Sequence, residues 1–134
     1  MFMDIIIPWE QILKLVVAVI IGGLVGIERE AYRKPAGVRT HMLVCLGATL
    51  FMVVSILAFP GGDSIRIAAG VVTGIGFLGA GTIFKSKDTV KGLTTAASLW
   101  AVAGIGLAIG AGLYVITVAA AILVIIVLQL DRIF

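Results

Sequence analysis

The fold is decided by residues 92–130, GLTTAASLWAVAGIGLAIGAGLYVITVAAAILVIIVLQL, which carry no charged side chain over 39 positions. A helix that crosses a membrane needs about 20 mostly apolar residues, so this stretch is about twice as long as one span. The small residues Gly110-Ala111-Gly112 lie at its middle and mark the turn between two spans. The stretch therefore predicts a helix over 93–109 and another over 113–130.

The rest of the chain has the same character. Its 134 residues are 61% hydrophobic and 13% charged, whereas a soluble domain is about 45–50% apolar and about 25% charged. Further apolar runs predict helices over 9–27, 42–59 and 67–84. In the first of these, Glu10 and Lys14 are four residues apart, so they can pair while Lys14 extends towards water. We therefore predict an all-α membrane protein, one domain over 1–134 with five transmembrane helices.

Basic residues give the orientation of these helices. Cytoplasmic loops carry an excess of lysine and arginine. Eight of the ten basic residues fall on one side of a five-helix bundle: Arg29, Arg33, Lys34, Arg39, Lys85, Lys87, Lys91 and Arg132. This pattern predicts the N-terminus outside and the C-terminus in the cytoplasm. It also explains the net charge of +3 without a nucleic-acid partner.

Two halves of the chain show a weak similarity. A shift of 55 residues lays the first two helices over the third and fourth. It then pairs Gly26 with Gly81, Gly37 with Gly92 and Thr40 with Thr95. The similarity indicates either a parallel two-helix repeat or chance matching between segments built from few residue types. Both alternatives stay open.

Glycines recur at helical spacing in several of the predicted helices. Small residues let membrane helices approach closely, which is a main means of their association. The candidate packing positions are Gly22, Gly26, Gly70, Gly74, Gly76, Gly79, Gly81, Gly104, Gly106 and Gly110. They predict either packing, within the chain or across a homodimer, or an unwound segment over 76–81 whose carbonyls line an ion site. Because five short helices enclose little volume, we expect a homodimer or a larger assembly.

Glu28 is the most informative charged residue. It lies at the C-terminal end of the first helix, where the helix dipole disfavours a carboxylate. Glu30 has basic residues three and four positions later, but Glu28 has none there. An ionisable residue at the membrane boundary without a local partner is a candidate functional residue. We expect its partner to be Arg39, a basic residue of the loop 85–91, or a bound cation.

Hydroxyl side chains complete the candidate site. Thr40 and Thr95 are expected to cap the second and fourth helices. The predicted ion or ion-pair site consists of Glu28, Arg39, Thr40, Thr94, Thr95 and Ser98, and the polar motif beside it of Arg29, Glu30 and Lys85. His41 and Cys45 are single residues without a metal-ligand set. Since the sequence also lacks phosphate-loop, HExxH and GxSxG motifs, we predict no metal, no cofactor and no enzymatic activity.

Three runs carry a resemblance to a known family: GGLVGIEREAYRKPAGVRTHMLVCLGATLFM (22–52), GVVTGIGFLGAGTIFK (70–85) and VKGLTTAASLWAVAGIGLAIGAG (90–112). Together they resemble the MgtC/SapB family of bacterial inner-membrane proteins, over nearly the whole chain. The resemblance implies a five-helix membrane domain with its N-terminus outside. Carried over by position, the family's polar residues are Glu28, Arg29, Glu30, Arg39, Thr40, Lys85 and Gly92 to Thr95.

The resemblance also implies a function. The family was long labelled a Mg²⁺ transport component. Its best-known members resemble small regulators instead, needed for adaptation to low Mg²⁺ and for survival of pathogens inside macrophages. In that view they act on membrane potential and on ATP synthase. The residues leave three alternatives open: a regulator that binds membrane partners, a cation or small-solute transporter, and a purely structural subunit.

The chain departs from the family at its end. Many members continue after the fifth helix into a soluble cytoplasmic domain, whereas this sequence stops at Phe134. We therefore expect no C-terminal soluble domain within these residues. A short branch of the family and a piece of a longer protein are both consistent with this.

Overall fold

The computed structural model describes residues 9–133, in which five α-helices account for most of the chain. The helices are α1 (Trp9–Ala31), α2 (Val38–Ala58), α3 (Ser64–Ala80), α4 (Leu93–Gly110) and α5 (Tyr114–Leu128). Between α3 and α4, the two-residue strands β1 (Phe84–Lys85) and β2 (Val90–Lys91) pair antiparallel. A 3₁₀ turn, Leu130–Arg132, follows α5. The prediction of five helices is thus confirmed.

Within residues 9–133, four segments are long and apolar enough to cross a membrane: α1, α2, α4, and α5 with the 3₁₀ turn. The third helix, α3, is apolar but has 17 residues, which makes it about 25 Å long at 1.5 Å per residue. A bilayer's hydrocarbon core is about 30 Å thick. The chain is therefore a helical membrane protein, and the five-span topology with its orientation stays a prediction.

The core is formed where α2 packs between α1 and α4, and glycines make this packing close. An added Cβ at Gly26 of α1 would lie 2.6 Å from Cα of Val38, which begins α2. On the other side of α2, an added Cβ at Gly110 would lie 2.6 Å from Cβ of Met52. Gly22 and Gly106 meet α2 equally closely. These four glycines pack within the chain.

The remaining predicted packing glycines behave differently. No atom lies within 4 Å of an added Cβ at Gly70, Gly74, Gly76 or Gly104, so these positions are not used for packing among residues 9–133. Gly79 makes an ordinary contact with Ala96, and Gly81 meets only carbonyls of its own helix end. The unwound segment over 76–81 is not found, because α3 is helical through Ala80 and Gly81 is its C-cap.

The expected threonine caps are also replaced by glycines. Helix α2 begins after Gly37 and α4 after Gly92, each without a side-chain cap hydrogen bond, so Thr40 and Thr95 lie inside the first turns. Gly92 has a φ of +91°, and an added Cβ there would lie 1.8 Å from the Thr82 carbonyl oxygen, which only glycine avoids. The two cap glycines are 55 residues apart but differ in conformation, since Gly37 has a φ of −106°.

Lys14 points inward, contrary to the expected outward path and pairing with Glu10. Its side chain is buried, and Nζ donates a hydrogen bond of 3.0 Å to the Gly110 carbonyl oxygen. Carbonyls in the last turn of a helix lack intrahelical partners and carry partial negative charge. The ammonium group therefore stabilises the C-terminal end of α4 and joins it to α1.

Candidate functional site

A buried charge pair lies near the end of α1. Arg29 is 1% exposed and Glu28 is 7% exposed. Nε and Nη2 of Arg29 donate to the two carboxylate oxygens of Glu28, the second bond at 2.9 Å. Such a two-point contact fixes both groups and is among the stronger hydrogen-bonding arrangements. Glu28 is thus paired with its neighbour in the chain, and the expectation of a partner in Arg39 or the loop 85–91 is wrong.

Arg29 also connects this pair to the last helix. Its Nη2 lies 3.4 Å from the carbonyl oxygen of Leu128, the last residue of α5. Four residues further on, the guanidinium carbon of Arg132 lies 3.9 Å from the ring centroid of Tyr32, a cation–π geometry. The end of α5 is therefore held against the end of α1 at two points.

A second polar contact joins α2 to α4. His41 is fully buried in α2, with Nδ1 2.9 Å from the Gly37 carbonyl oxygen and Nε2 2.9 Å from Oγ of Ser98. Ser98 in turn lies 2.7 Å from the carbonyl oxygen of Thr95. The Gly37 carbonyl oxygen that contacts the imidazole would lie 2.9 Å from an added Cβ at Gly26, two residues before Glu28, so His41 lies beside the end of α1. These five residues, Glu28, Arg29, His41, Thr95 and Ser98, form what we call the polar cluster.

The hydroxyl of Ser98 has one hydrogen and two neighbouring acceptors. With a neutral His41, Nδ1–H donates to Gly37 and the Ser98 hydroxyl donates to Nε2. With a protonated His41, Nε2–H donates to Ser98, whose hydroxyl then donates to the Thr95 carbonyl. Both hydrogen-bonding patterns are complete, so the geometry fits either protonation state of His41.

The predicted site residues are divided by the structure. Glu28, Thr95 and Ser98 come together in the polar cluster, whereas Arg39, Thr40 and Thr94 are exposed. Of the neighbouring polar motif, Arg29 is inside the cluster. Glu30 and Lys85 are exposed, Glu30 beside Gly37 and Lys85 on β1.

Sequence reasoning missed the role of His41. The predicted second helix begins at 42, which leaves His41 in a loop, but α2 begins at Val38 and buries the imidazole. The isolated histidine just before an apolar run was the only available signal. Its hydrogen-bond partner Ser98 is 57 residues away, a separation that no local pattern reveals.

The polar cluster is internally satisfied. Over residues 9–133, every buried side-chain nitrogen and oxygen has a hydrogen-bond partner. In the same part of the chain, no group of three or more histidine, cysteine, aspartate or glutamate side chains is placed to hold a metal ion. The charge of Glu28 is balanced by Arg29. The arrangement therefore has the chemistry of a buried ion pair that joins helix ends.

Comparison with known proteins gives a consistent family match. The model of the MgtC family matches residues 15–134. A protein of Escherichia coli K12 named "Putative magnesium transporter YhiD" is 43% identical over 128 residues, which cover 90% of this chain and 60% of that protein. "Protein MgtC" of Brucella abortus is 50% identical over 96 residues, covering 72% of this chain and 40% of that protein.

A protein of Synechocystis sp. is 48% identical over 105 residues, 78% of this chain and 45% of its own length. The chain thus spans between about two fifths and three fifths of the curated relatives named here. No solved structure matches.

Proposed function

Since the chain belongs to the MgtC family, we propose that it is a regulator of ion and Mg²⁺ homeostasis and of membrane energetics, acting through contacts with other membrane proteins. It lies in the bacterial inner membrane with five spans, the N-terminus outside and the basic loops in the cytoplasm. It has no enzymatic activity. Its partners are a second copy of the chain and a membrane complex such as ATP synthase, which only the family resemblance suggests.

The observation that carries this proposal is the pairing of the buried charges. Among the described residues the buried charged side chains are Lys14, Glu28 and Arg29, and each is bonded to protein atoms. A transporter needs charged or polar groups that face its substrate. Because these charged groups are bonded to other groups of the protein, the structure suits a scaffold that acts on its partners through its outer faces.

One outer face fits contact with another helix. On α4, Ala97, Trp100 and Gly104 are exposed and lie three to four residues apart, which places them on one side of the helix. Trp100 is 59% exposed, and Gly104 has open space around it. A small residue beside a large aromatic one gives a helix both a close approach and a large contact area. We call Ala97, Trp100 and Gly104 the α4 face.

A photo-reactive amino acid at position 100, introduced in living cells, tests the α4 face. We expect covalent adducts with a second membrane protein, identified by mass spectrometry, and their loss when Gly104→Leu is added. Position 115 on α5, where Val115 is 85% exposed, is the matched control and should form no such adduct. Equal labelling at both positions would contradict the proposal, and adducts formed only between copies of this chain would replace it with self-association.

Cation transport is the second candidate, and the composition of the polar cluster favours it. The cluster brings a carboxylate, an imidazole and two hydroxyl-bearing residues from three helices together in the interior. Oxygen ligands of this kind suit hard cations. In this candidate function, Glu28 would release Arg29 when an ion enters.

A further inference from the structure

A groove runs along the outer side of the bundle between α2 and α3, apart from the polar cluster. Its cavity has a volume of about 650 Å³ and is lined almost entirely by apolar residues, with Ala103 of α4 at its base. Along α3 it extends from Arg66 to Leu78. Gly47, Gly70 and Gly74 line it and have no neighbour within 4 Å of an added Cβ. The missing side chains at these glycines give the groove its depth.

The length of the groove bears on its occupant. Twelve residues of α3 separate Arg66 from Leu78, a length of about 18 Å at 1.5 Å per residue. The apolar walls along this length suit a hydrocarbon chain that lies parallel to α3. The length also matches about half of a bilayer core of about 30 Å.

One end of the groove carries the guanidinium group of Arg66, whose charge is partly balanced by Asp63. The side chain of Arg66 is 87% exposed, and its Nε lies 3.8 Å from Oδ2 of Asp63. Asp63 uses its other carboxylate oxygen to accept the backbone N–H of Ile65 as the N-cap of α3. The separation from Arg66 exceeds hydrogen-bond length, so the guanidinium can still donate to another anion. Guanidinium groups bind phosphate well because their donors match two phosphate oxygens.

We propose that this groove binds one phospholipid, with an acyl chain lying along α3 and the headgroup phosphate on Arg66. The apolar walls bind the chain through burial and the guanidinium binds the phosphate, so only a molecule with both parts gains both interactions. A free phosphate gains only the second and an uncharged lipid only the first. The lipid fills the space between α2 and α3 and supports the least enclosed helix of the bundle, where only Ile75 and Gly79 are buried.

The test is native mass spectrometry of the whole protein in detergent, titrated with phosphatidylglycerol, with diacylglycerol and with glycerol phosphate. We expect tight binding of one phosphatidylglycerol and at least about tenfold weaker binding of the other two, a difference of about 1.4 kcal/mol. A comparable affinity for diacylglycerol would show that Arg66 does not contribute to binding. A comparable affinity for glycerol phosphate would show that the groove does not contribute to binding.

Variants on one helix locate the site. Gly74→Leu places a side chain in the groove, where there is open space for it, and should weaken phosphatidylglycerol binding at least about tenfold. Gly76→Leu is the matched control: it is equally open but lies about 200° around α3 and should bind lipid normally. Arg66→Gln should weaken phosphatidylglycerol binding and leave diacylglycerol unchanged. The same affinity in Gly74→Leu and Gly76→Leu, with both folded by circular dichroism, would overturn the proposal. A change from dimer to monomer in Gly74→Leu alone would assign the groove to a second copy instead.

Discussion

The Arg29→Met variant is expected to lose about 3–5 kcal/mol of unfolding free energy, because it leaves the buried carboxylate of Glu28 without its counter-charge. The same substitution removes the hydrogen bond from Arg29 to the Leu128 carbonyl at the end of α5. Unfolding by a denaturing detergent, followed by tryptophan fluorescence in micelles, measures the change. The effect should be the largest of any single substitution in the polar cluster.

Two further variants separate charge from packing. Glu30→Gln removes an exposed carboxylate from the residue that follows Arg29. It should change the unfolding free energy by less than about 0.5 kcal/mol. The double variant Glu28→Gln with Arg29→Met removes both charges and should recover at least half of the loss, since paired sites are not additive. A single Arg29→Met variant as stable as the parent chain would show that the pair is not buried as described.

Alanine substitutions should lower the unfolding free energy at glycines that pack closely against another helix. They should raise it at glycines with open space around them. Gly26→Ala places a methyl group 2.6 Å from Cα of Val38 and 2.9 Å from the Gly37 carbonyl oxygen. Both are backbone atoms, so α1 and α2 must move apart, and overpacking of this kind costs about 1–3 kcal/mol. Gly104→Ala meets no atom within 4 Å and should stabilise α4 by about 0.5–1 kcal/mol, since alanine loses less backbone entropy.

The same detergent titration measures both glycine variants, and Gly76→Ala provides a second open position on another helix. Loss of stability at all three positions would indicate that Gly104 and Gly76 also pack closely, for example against a second copy of the chain. No loss at Gly26 would contradict the close approach of α1 to α2.

The sequence was sufficient to predict the number of helices. Hydropathy and the Gly110-Ala111-Gly112 turn located the helices, because an apolar run of this length has few other structures available in lipid. Helix ends were less predictable. The apolar run predicts a start of α2 at 42, but the helix begins at Val38 and includes His41. Apolar composition alone does not identify polar residues that are buried inside a bundle.

Spacing could not identify the contacts of the site. Side chains at adjacent helix positions normally point apart, so spacing does not predict the pairing of Glu28 with Arg29. In the structure both residues are buried near the end of α1 and bond to each other. Spacing also cannot tell Gly22 and Gly106, which face α2, from Gly70 and Gly104, which face outward. That difference depends on the tertiary arrangement of the helices.

Ion flux is the most direct test of a regulator whose buried charges are internally paired. The protein would be reconstituted in liposomes, with its folding and orientation verified, and assayed for Mg²⁺, K⁺ and H⁺ movement beside Glu28→Gln and Glu30→Gln. We predict that all three proteins give the flux of protein-free liposomes. Flux through the parent chain that Glu28→Gln abolishes and Glu30→Gln retains would contradict this and establish a transporter with Glu28 in its pathway.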